Sequence, residues 1–204
     1  MEGAVRWATA DDIPSLAELL ALAFPREFGR AFGTSHQRRA AGLGGLLGQG
    51  FLRWRDALVL DQREGVLGAA FLCWEDSQRP APLLRCAPPV AQASGWLRLP
   101  WALFVLSFLL EERPRPGGCE VGMLAVRPDK RRRGIGRMLL EEVQRQALGR
   151  KCDHLSLSVA ANNRPARGLY AKLGFETVAV RLDPIRHLLF GAGRGLRMRK
   201  QLST

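Results

Sequence analysis

The sequence predicts an α/β protein, and three observations carry that prediction. From residue 119 onward, segments of strand character alternate with segments of helical spacing. Strands interleaved with helices argue for a sheet that is at least partly parallel. Before residue 119, two strand-like runs stand between longer apolar stretches that suit helices. The chain of 204 residues is long enough for one sizeable core and shorter than two independent domains usually need. With no internal repeat and no boundary signal, residues 1–204 read as a single domain.

Taken in order, "AVRWA" (4–8) has strand character. "DDIPSLAELLALAF" (11–24) reads as a helix capped by Asp11, with Pro14 in the first turn, where backbone donors are unpaired anyway. Ile13, Leu16, Leu20, Ala23 and Phe24 share its buried face. The glycine-rich stretch 33–50 does not fit a nucleotide-binding G-x-G-x-x-G and reads as a glycine-loosened helix or a loop. Residues 56–74 read as two strands joined at Asp61–Gly65. Residues 75–95 look like a loop leading into an apolar helix over 96–110, and "RPRPGG" (113–118) ends that excursion. Then follow a strand (119–126), a helix (136–148), a strand (153–159), a helix (164–175) and strands at 176–182 and 195–202.

The apolar segment 96–110 is interrupted by Arg98 and Pro100 and falls short of the ~20 residues of a spanning helix. A buried or interface-forming helix is expected there, with a membrane-surface contact as the alternative. The N-terminus carries acids and a proline where a secretory leader would be basic and then apolar. Cys73, Cys86, Cys119 and Cys152 show no C-x-x-C pairing and read as free, mostly buried thiols of a reducing compartment. The expected location is therefore cytoplasmic. His36, His154 and His187 stand alone, and no metal site is expected. A formal charge of +12 favours anionic partners without choosing among nucleotides, nucleic acid, acidic proteins and anionic lipid.

The stretch "RPDKRRRGIGRMLL" (127–140) narrows that choice. Gly134 falls between a strand ending near Val126 and a helix whose buried face is Ile135, Met138, Leu139, Val143 and Ala147. A helix N-terminus offers unpaired amides and the positive end of a dipole to an anion. Gly134 and Gly136 keep side chains out of its way, and flanking arginines add charge-assisted hydrogen bonds. It is no Walker loop, since G-K-[ST] is missing, and it lacks the third glycine of the dinucleotide fingerprint. On its own the run is equally readable as a solvated charge cluster capping a helix.

Two motifs together resemble the GNAT superfamily of acyl-CoA-dependent N-acetyltransferases. Residues 131–136 (RRRGIG) match its [Q/R]-x-x-G-x-[G/A] turn, and Asn163, Ala166, Leu169, Tyr170, Lys172, Gly174 and Phe175 match its second signature. The resemblance covers about residues 119–180, with weaker support at 4–24 and 195–202. It implies a mixed, mostly antiparallel sheet flanked by helices, with splayed central strands, here carrying an extra helical insertion (75–118) before the fourth strand. It also implies an acetyltransferase that uses acetyl-CoA. Arg131, Arg132, Arg133, Gly134, Ile135 and Gly136 would cradle the pyrophosphate, with the arginines and Arg137 reaching the 3′-phosphate. Leu124, Ala125 and Val126 would bind the pantetheine through their backbone, the Leu124 amide acting as oxyanion donor. Asn163 would bind the pantetheine or cap the next helix.

Tyr170, the only tyrosine, matches the family's usual general acid, although it also suits a core aromatic. Glu120 is the candidate base, weighed against a solvated strand-end carboxylate. Strand alternation puts Glu120, Gly122, Leu124 and Val126 on one face. Glu120 then lies roughly 13 Å from Leu124 and must work through waters unless a bulge intervenes. No convincing Cys–His pair supports an acyl-enzyme. Gly168, inside a helix, suggests close approach of backbone or cofactor.

The resemblance leaves the acceptor open: a protein N-terminus, a lysine side chain or a small amine, with Glu75, Glu111, Glu112 and Glu120 as candidate acidic lining. The apolar helix of the insertion would cover or line the acceptor cleft or form a dimer contact. The alternative function is a non-catalytic acyl-CoA sensor of the same fold. Nucleic acid is not expected as a partner, because aromatics do not interleave with the basic run.

Overall fold

The computed structural model describes residues 3–62, 65–77, 80–108, 114, 116–182, 189 and 194–202. Its strands are β1 (Ala4–Trp7), β2 (Ala57–Gln62), β3 (Gly65–Trp74), β4 (Gly118–Val126), β5 (His154–Ala160), β6 (Glu176–Leu182) and β7 (Arg194–Gln201). The α-helices among these residues are α1 (Ile13–Ala23), α2 (Pro25–Phe32), α3 (His36–Gly48), α4 (Ala87–Ser94), α5 (Leu99–Ser107), α6 (Ile135–Gly149) and α7 (Arg164–Lys172). The strands form one sheet in the order β1-β2-β3-β4-β5-β7-β6. Every neighbouring pair is antiparallel except β4 and β5, which run parallel. The sheet is thus mixed and mostly antiparallel, as the resemblance implied.

Strand alternation sorts the apolar residues into one cluster on each face. Val59, Ala69, Phe71 and Ala125 turn toward α1–α5, while Leu58, Ala70, Leu72, Val121, Leu157 and Met198 turn toward α6 and α7. Burial on both sides of β3 explains why its sequence reads as a continuous apolar run rather than an alternating one.

Four expectations for the first half need correcting. Asp11 does not cap α1: a 3₁₀ turn (Ala10–Asp12) leads into it, closed by a capping box in which the Asp12 carboxylate accepts from the Thr9 amide at 2.7 Å while the Asp12 amide donates to the Thr9 carbonyl at 3.1 Å. Arg6 adds two hydrogen bonds to Asp12, at 2.7 and 2.9 Å, and holds its carboxyl down to about 2. The helix does not simply end at Phe24. The backbone breaks there (φ −125, ψ 56) and Pro25 opens α2, which the sequence reading missed. Of the two readings of stretch 33–50 the helix holds, over His36–Gly48, and two of its glycines serve close packing: a Cβ on Gly42 would overlap the Phe32 ring, and one on Gly45 would overlap Pro89.

The loop expected at 75–95 contains α4, because Pro88 and Pro89 sit in its first turn, where no helical donor is lost. The apolar helix is also shorter than 96–110. Trp96–Arg98 form a 3₁₀ turn ahead of α5, and Leu109 and Leu110 lie outside the described residues. So do Glu111, Glu112 and His187, and Arg63 and Glu64 of the β2–β3 turn. Among the described residues no helix is long and apolar enough to cross a membrane.

Candidate active site

The site forms where β4 and β5 part. They pair only from Gly118↔His154 to Val121↔Leu157, after which β4 stays with β3 and β5 stays with β7. The register of β4 on β3 shows which groups face the gap. The Arg127 amide donates to the Leu67 carbonyl at 2.9 Å, so that pair is hydrogen-bonded, and the ladder alternates from there. Ala125↔Ala69 is therefore bonded, while Leu124↔Ala70 and Val126↔Gly68 are not. The N–H and C=O of Leu124 and Val126 consequently point away from β3, into the opening that β5 leaves.

The arginine–glycine turn closes one end of that opening. Gly134 has φ +82, a left-handed conformation that favours glycine, and an added Cβ would meet no atom within 4 Å. That side of the α6 N-terminus is thus clear of protein atoms. The helix is pressed close against the sheet because Gly68 of β3 has no side chain: a Cβ there would lie 2.8 Å from Ile135 Cγ2 and 3.0 Å from the Ala125 carbonyl oxygen. At Gly136 a Cβ would meet Leu169 of α7 at 3.2 Å and Leu124 and Val126 of β4 at 3.9 Å. One glycine therefore joins the turn, the splayed strand and the helix that carries Tyr170.

Arg131, Arg132 and Arg133 are all exposed at this mouth. Arg131 Nε donates to the Val126 carbonyl at 3.4 Å, which folds the turn back on β4, and Arg132 adopts φ +60. Arg137 Nε is held by Glu141 at 2.7 Å along the exposed face of α6. The Asn163 side chain caps α7, its Oδ1 accepting from the Ala166 amide at 3.2 Å.

Tyr170 is buried, on the same side of the sheet as Leu124 and Val126, with its ring 6.0 Å from that of Phe175. Burial pushes the phenol up to about 12, which keeps it protonated, the state a proton donor requires. Glu120 turned out otherwise than strand alternation predicts. Phe71 pairs with Met123 but Leu72 with Val121, so Gly122 is an extra residue, a β-bulge. The bulge inverts the alternation. Glu120 falls on the α1–α5 face with Met123 and Ala125, opposite Leu124 and Val126. There Arg197 of β7 donates to its Oε2 at 2.7 Å, with both side chains almost fully buried. Burial pushes Glu120 up to about 7, against the weaker pull of Arg197 and Arg199.

Sequence reasoning missed Gly68, Gly122 and Arg197. Isolated glycines within strands do signal bulges or close backbone approach, so the first two left a trace. Glu75, a candidate for acidic lining, accepts from the Gly117 amide at 2.8 Å, at the end of β4 remote from the turn. Cys86, Cys119 and Cys152 are buried free thiols, and burial raises the Cys119 thiol far above its ordinary value, which leaves no thiolate nucleophile there.

Solved structures share this fold. A crystal structure of an acetyltransferase matches with a TM-score of 0.64 and 20% identity, over 98% of this chain and 100% of that one. The ribosomal-protein-alanine N-acetyltransferase from Brucella melitensis matches with a TM-score of 0.59 and 21% identity, over 98% of this chain and 99% of that one. At such identities the likeness is one of fold. In sequence, the chain is 45% identical over 58 residues to the ribosomal protein bS18 alanine N-acetyltransferase of Salmonella typhimurium, covering 28% of this chain and 39% of that protein. The chain thus spans about two fifths of the length of the curated relatives it matches. The profile of the acetyltransferase (GNAT) family matches residues 51–175, more than half of the chain, and the chain belongs to that family.

Proposed function

We propose that the protein transfers the acetyl group of acetyl-CoA directly to a primary amine. One observation carries the reading: the open α6 N-terminus at Gly134 adjoins a strand whose Leu124 and Val126 backbone groups face an unfilled gap. The two features suit the two ends of the donor. The turn, with Arg131, Arg132, Arg133, Gly134, Ile135 and Gly136, offers amides and cations to phosphates. Arg137 joins the phosphate contacts on release from Glu141. The β4 edge offers amides to the pantetheine arm, to which Ala125 contributes by holding the strand on β3. The Leu124 N–H stabilises the oxyanion of the tetrahedral intermediate. Asn163 acts chiefly by capping the helix that positions Tyr170.

In this reading the amine attacks the thioester carbonyl, the C–S bond breaks, and the departing thiolate takes the Tyr170 proton. Tyr170 and Glu120 lie on opposite sides of the sheet, which suits an acceptor entering from one side while the thiolate leaves on the other. Glu120, bound by Arg197 and some distance along β4, removes the amine proton only through intervening water. A base so weakly placed favours an acceptor that needs little help. An α-amino group, with an ordinary pKa near ~8, is partly neutral at physiological pH, whereas a lysine near ~10.4 is not. The named acceptor of the Salmonella relative, a protein's N-terminal alanine, is of that kind.

The competing reading, an acyl-CoA sensor without turnover, is favoured by the Arg197 ion pair that occupies Glu120. Thermal melts with acetyl-CoA, ATP and NAD test the shared part of both. Acetyl-CoA at 100 times its Kd adds about 2.7 kcal/mol, which raises the midpoint by at least ~5 °C. Gly134→Val should abolish that shift; a β-branched residue is strained at φ +82, so the unliganded midpoint also falls and the shift is read against the variant's own midpoint. An unchanged acetyl-CoA shift in that variant overturns the site. Thiol release with a peptide bearing a free N-terminal alanine then separates enzyme from sensor.

A further inference from the structure

We propose that the insertion carrying α5 is a docking surface for an anionic lipid bilayer. The helix is apolar on both sides. Ala102, Val105 and Leu106 are buried against the α1–α4 layer, which accounts for one side. The other side holds Trp96, Leu97, Trp101 and Phe104, exposed by 72, 100, 46 and 46%. Trp101 and Phe104, three residues apart, share one side of α5, and Trp96 and Leu97 extend the apolar surface from the 3₁₀ turn just ahead of it. Trp101 and Phe104 pack on each other with ring centroids 5.7 Å apart, yet both stay half exposed, so packing within the described fold leaves this stripe largely uncovered. Leu97 makes the point most sharply, since it sits fully exposed at a 3₁₀ turn between two helices.

The charges around the stripe identify its occupant. Trp101 donates its indole N–H to the Arg30 carbonyl at 3.1 Å, which places α2 directly alongside. The Arg98 guanidinium lies 3.8 Å from where a Cβ on Gly33, the residue closing α2, would sit. Arg26, Arg30, Arg38, Arg85 and Arg98 are all exposed on α2, α3 and the insertion. Between Pro80 and Phe108 the sequence has no acid, and α2 and α3 contribute only Glu27. Exposed tryptophan and leucine bordered by arginine is the composition of an element that lies in a bilayer interface, apolar groups among the acyl chains and cations at the headgroups. A second copy fits less well, because a symmetric contact would press Arg30 and Arg98 against their equivalents in a chain of charge +12.

The test is co-sedimentation of the full chain with vesicles, and it reads no acetyl transfer, so it stands apart from the reading above. With vesicles of phosphatidylglycerol and phosphatidylcholine in equal parts the protein should pellet, with a blue shift in tryptophan emission. With phosphatidylcholine alone binding should fall sharply, and raised salt should weaken it. Leu97→Ser should lower the partition coefficient roughly tenfold, as expected for a leucine that no longer leaves water, without moving the melting midpoint. Arg98→Gln should weaken binding to the anionic vesicles alone. Failure of the wild-type protein to pellet overturns the proposal, as does equal binding by Leu97→Ser. A dimer in analytical ultracentrifugation that Leu97→Ser dissolves also overturns it, by giving the stripe to a second copy.

Discussion

The two faces of β4 are built in opposite ways. Toward α6 and α7, the strand meets an exposed turn whose arginines reach solvent and whose Gly134 borders open space. Toward α1–α5, the same strand carries a carboxylate that is almost fully buried and tied to an arginine 77 residues away. The first face is ready for a ligand to arrive. The second is closed around its own charges. In the proposed transfer the donor must be seized from solution, whereas a proton acceptor needs its ionisation controlled, and the bulge at Gly122 would let one strand serve both needs.

The largest effect should come from the ligand-facing side. Tyr170→Phe removes the hydroxyl and little else from a buried ring, and kcat should fall by about 10²–10⁴-fold. Stabilisation by acetyl-CoA should be unchanged, since in the proposed mechanism the phenol would act on the departing sulfur rather than on the phosphates. A variant with full activity would reduce Tyr170 to a core aromatic.

On the closed side, Arg197→Met leaves Glu120 without the guanidinium that compensates it. Breaking a buried pair costs about 3–5 kcal/mol, a fall of roughly 10 °C in the melting midpoint for a chain of this length. Exchanging both partners for apolar residues, Glu120→Leu with Arg197→Met, should recover most of that loss. The double variant sharpens the comparison. If stability returns and acetyl transfer does not, the carboxylate handles protons; if both return, the pair is only a brace.

A smaller effect follows from ionisation. Glu120 is raised in the folded protein from an ordinary 4.5 to about 7, so the folded state holds the proton more tightly than the unfolded chain. Its contribution to stability is fully present below pH ~4.5 and is lost as pH rises through 7. Glu120→Gln removes that dependence. The variant should gain on the wild type steadily across this window when melts are compared at each pH, and a constant difference would place the carboxylate's ordinary value intact. If Glu120 takes the amine proton, the rise of kcat/KM with pH near 7 should also disappear in the variant.

The same contrast explains what the sequence disclosed. The turn at 131–136, the helix behind it and the Asn163 cap are written in contiguous residues, because an anion site at a helix N-terminus is made of neighbours in the chain. The Glu120–Arg197 pair is not: it depends on β7 being inserted between β5 and β6 and on one bulged residue that reverses a side chain. Strand alternation read without the bulge put Glu120 on the wrong face. In the first half, proline and glycine misled as breakers. Pro25, Pro88 and Pro89 each occupy a first helical turn, and Gly42 and Gly45 are small so that Phe32 and Pro89 can approach. Those roles become visible only once the packing partner is known.

The smallest expected effect concerns Gly168, where the two faces make different demands on a single helix. A glycine inside α7 costs about 1 kcal/mol relative to alanine, which suggests a close neighbour, yet a Cβ there meets nothing within 4 Å and its φ is not in the left-handed region. Protein packing therefore gives no reason for it, unlike Gly136 on the facing helix, whose Cβ would press on Leu169. Gly168→Ala should stabilise the unliganded protein by up to ~1 kcal/mol, or about 2–4 °C. If the acetyl-CoA shift survives unchanged, the glycine is dispensable. If the shift shrinks as the unliganded midpoint rises, Gly168 is kept small for the donor, and α7 joins the turn and β4 as a third wall of the cofactor site.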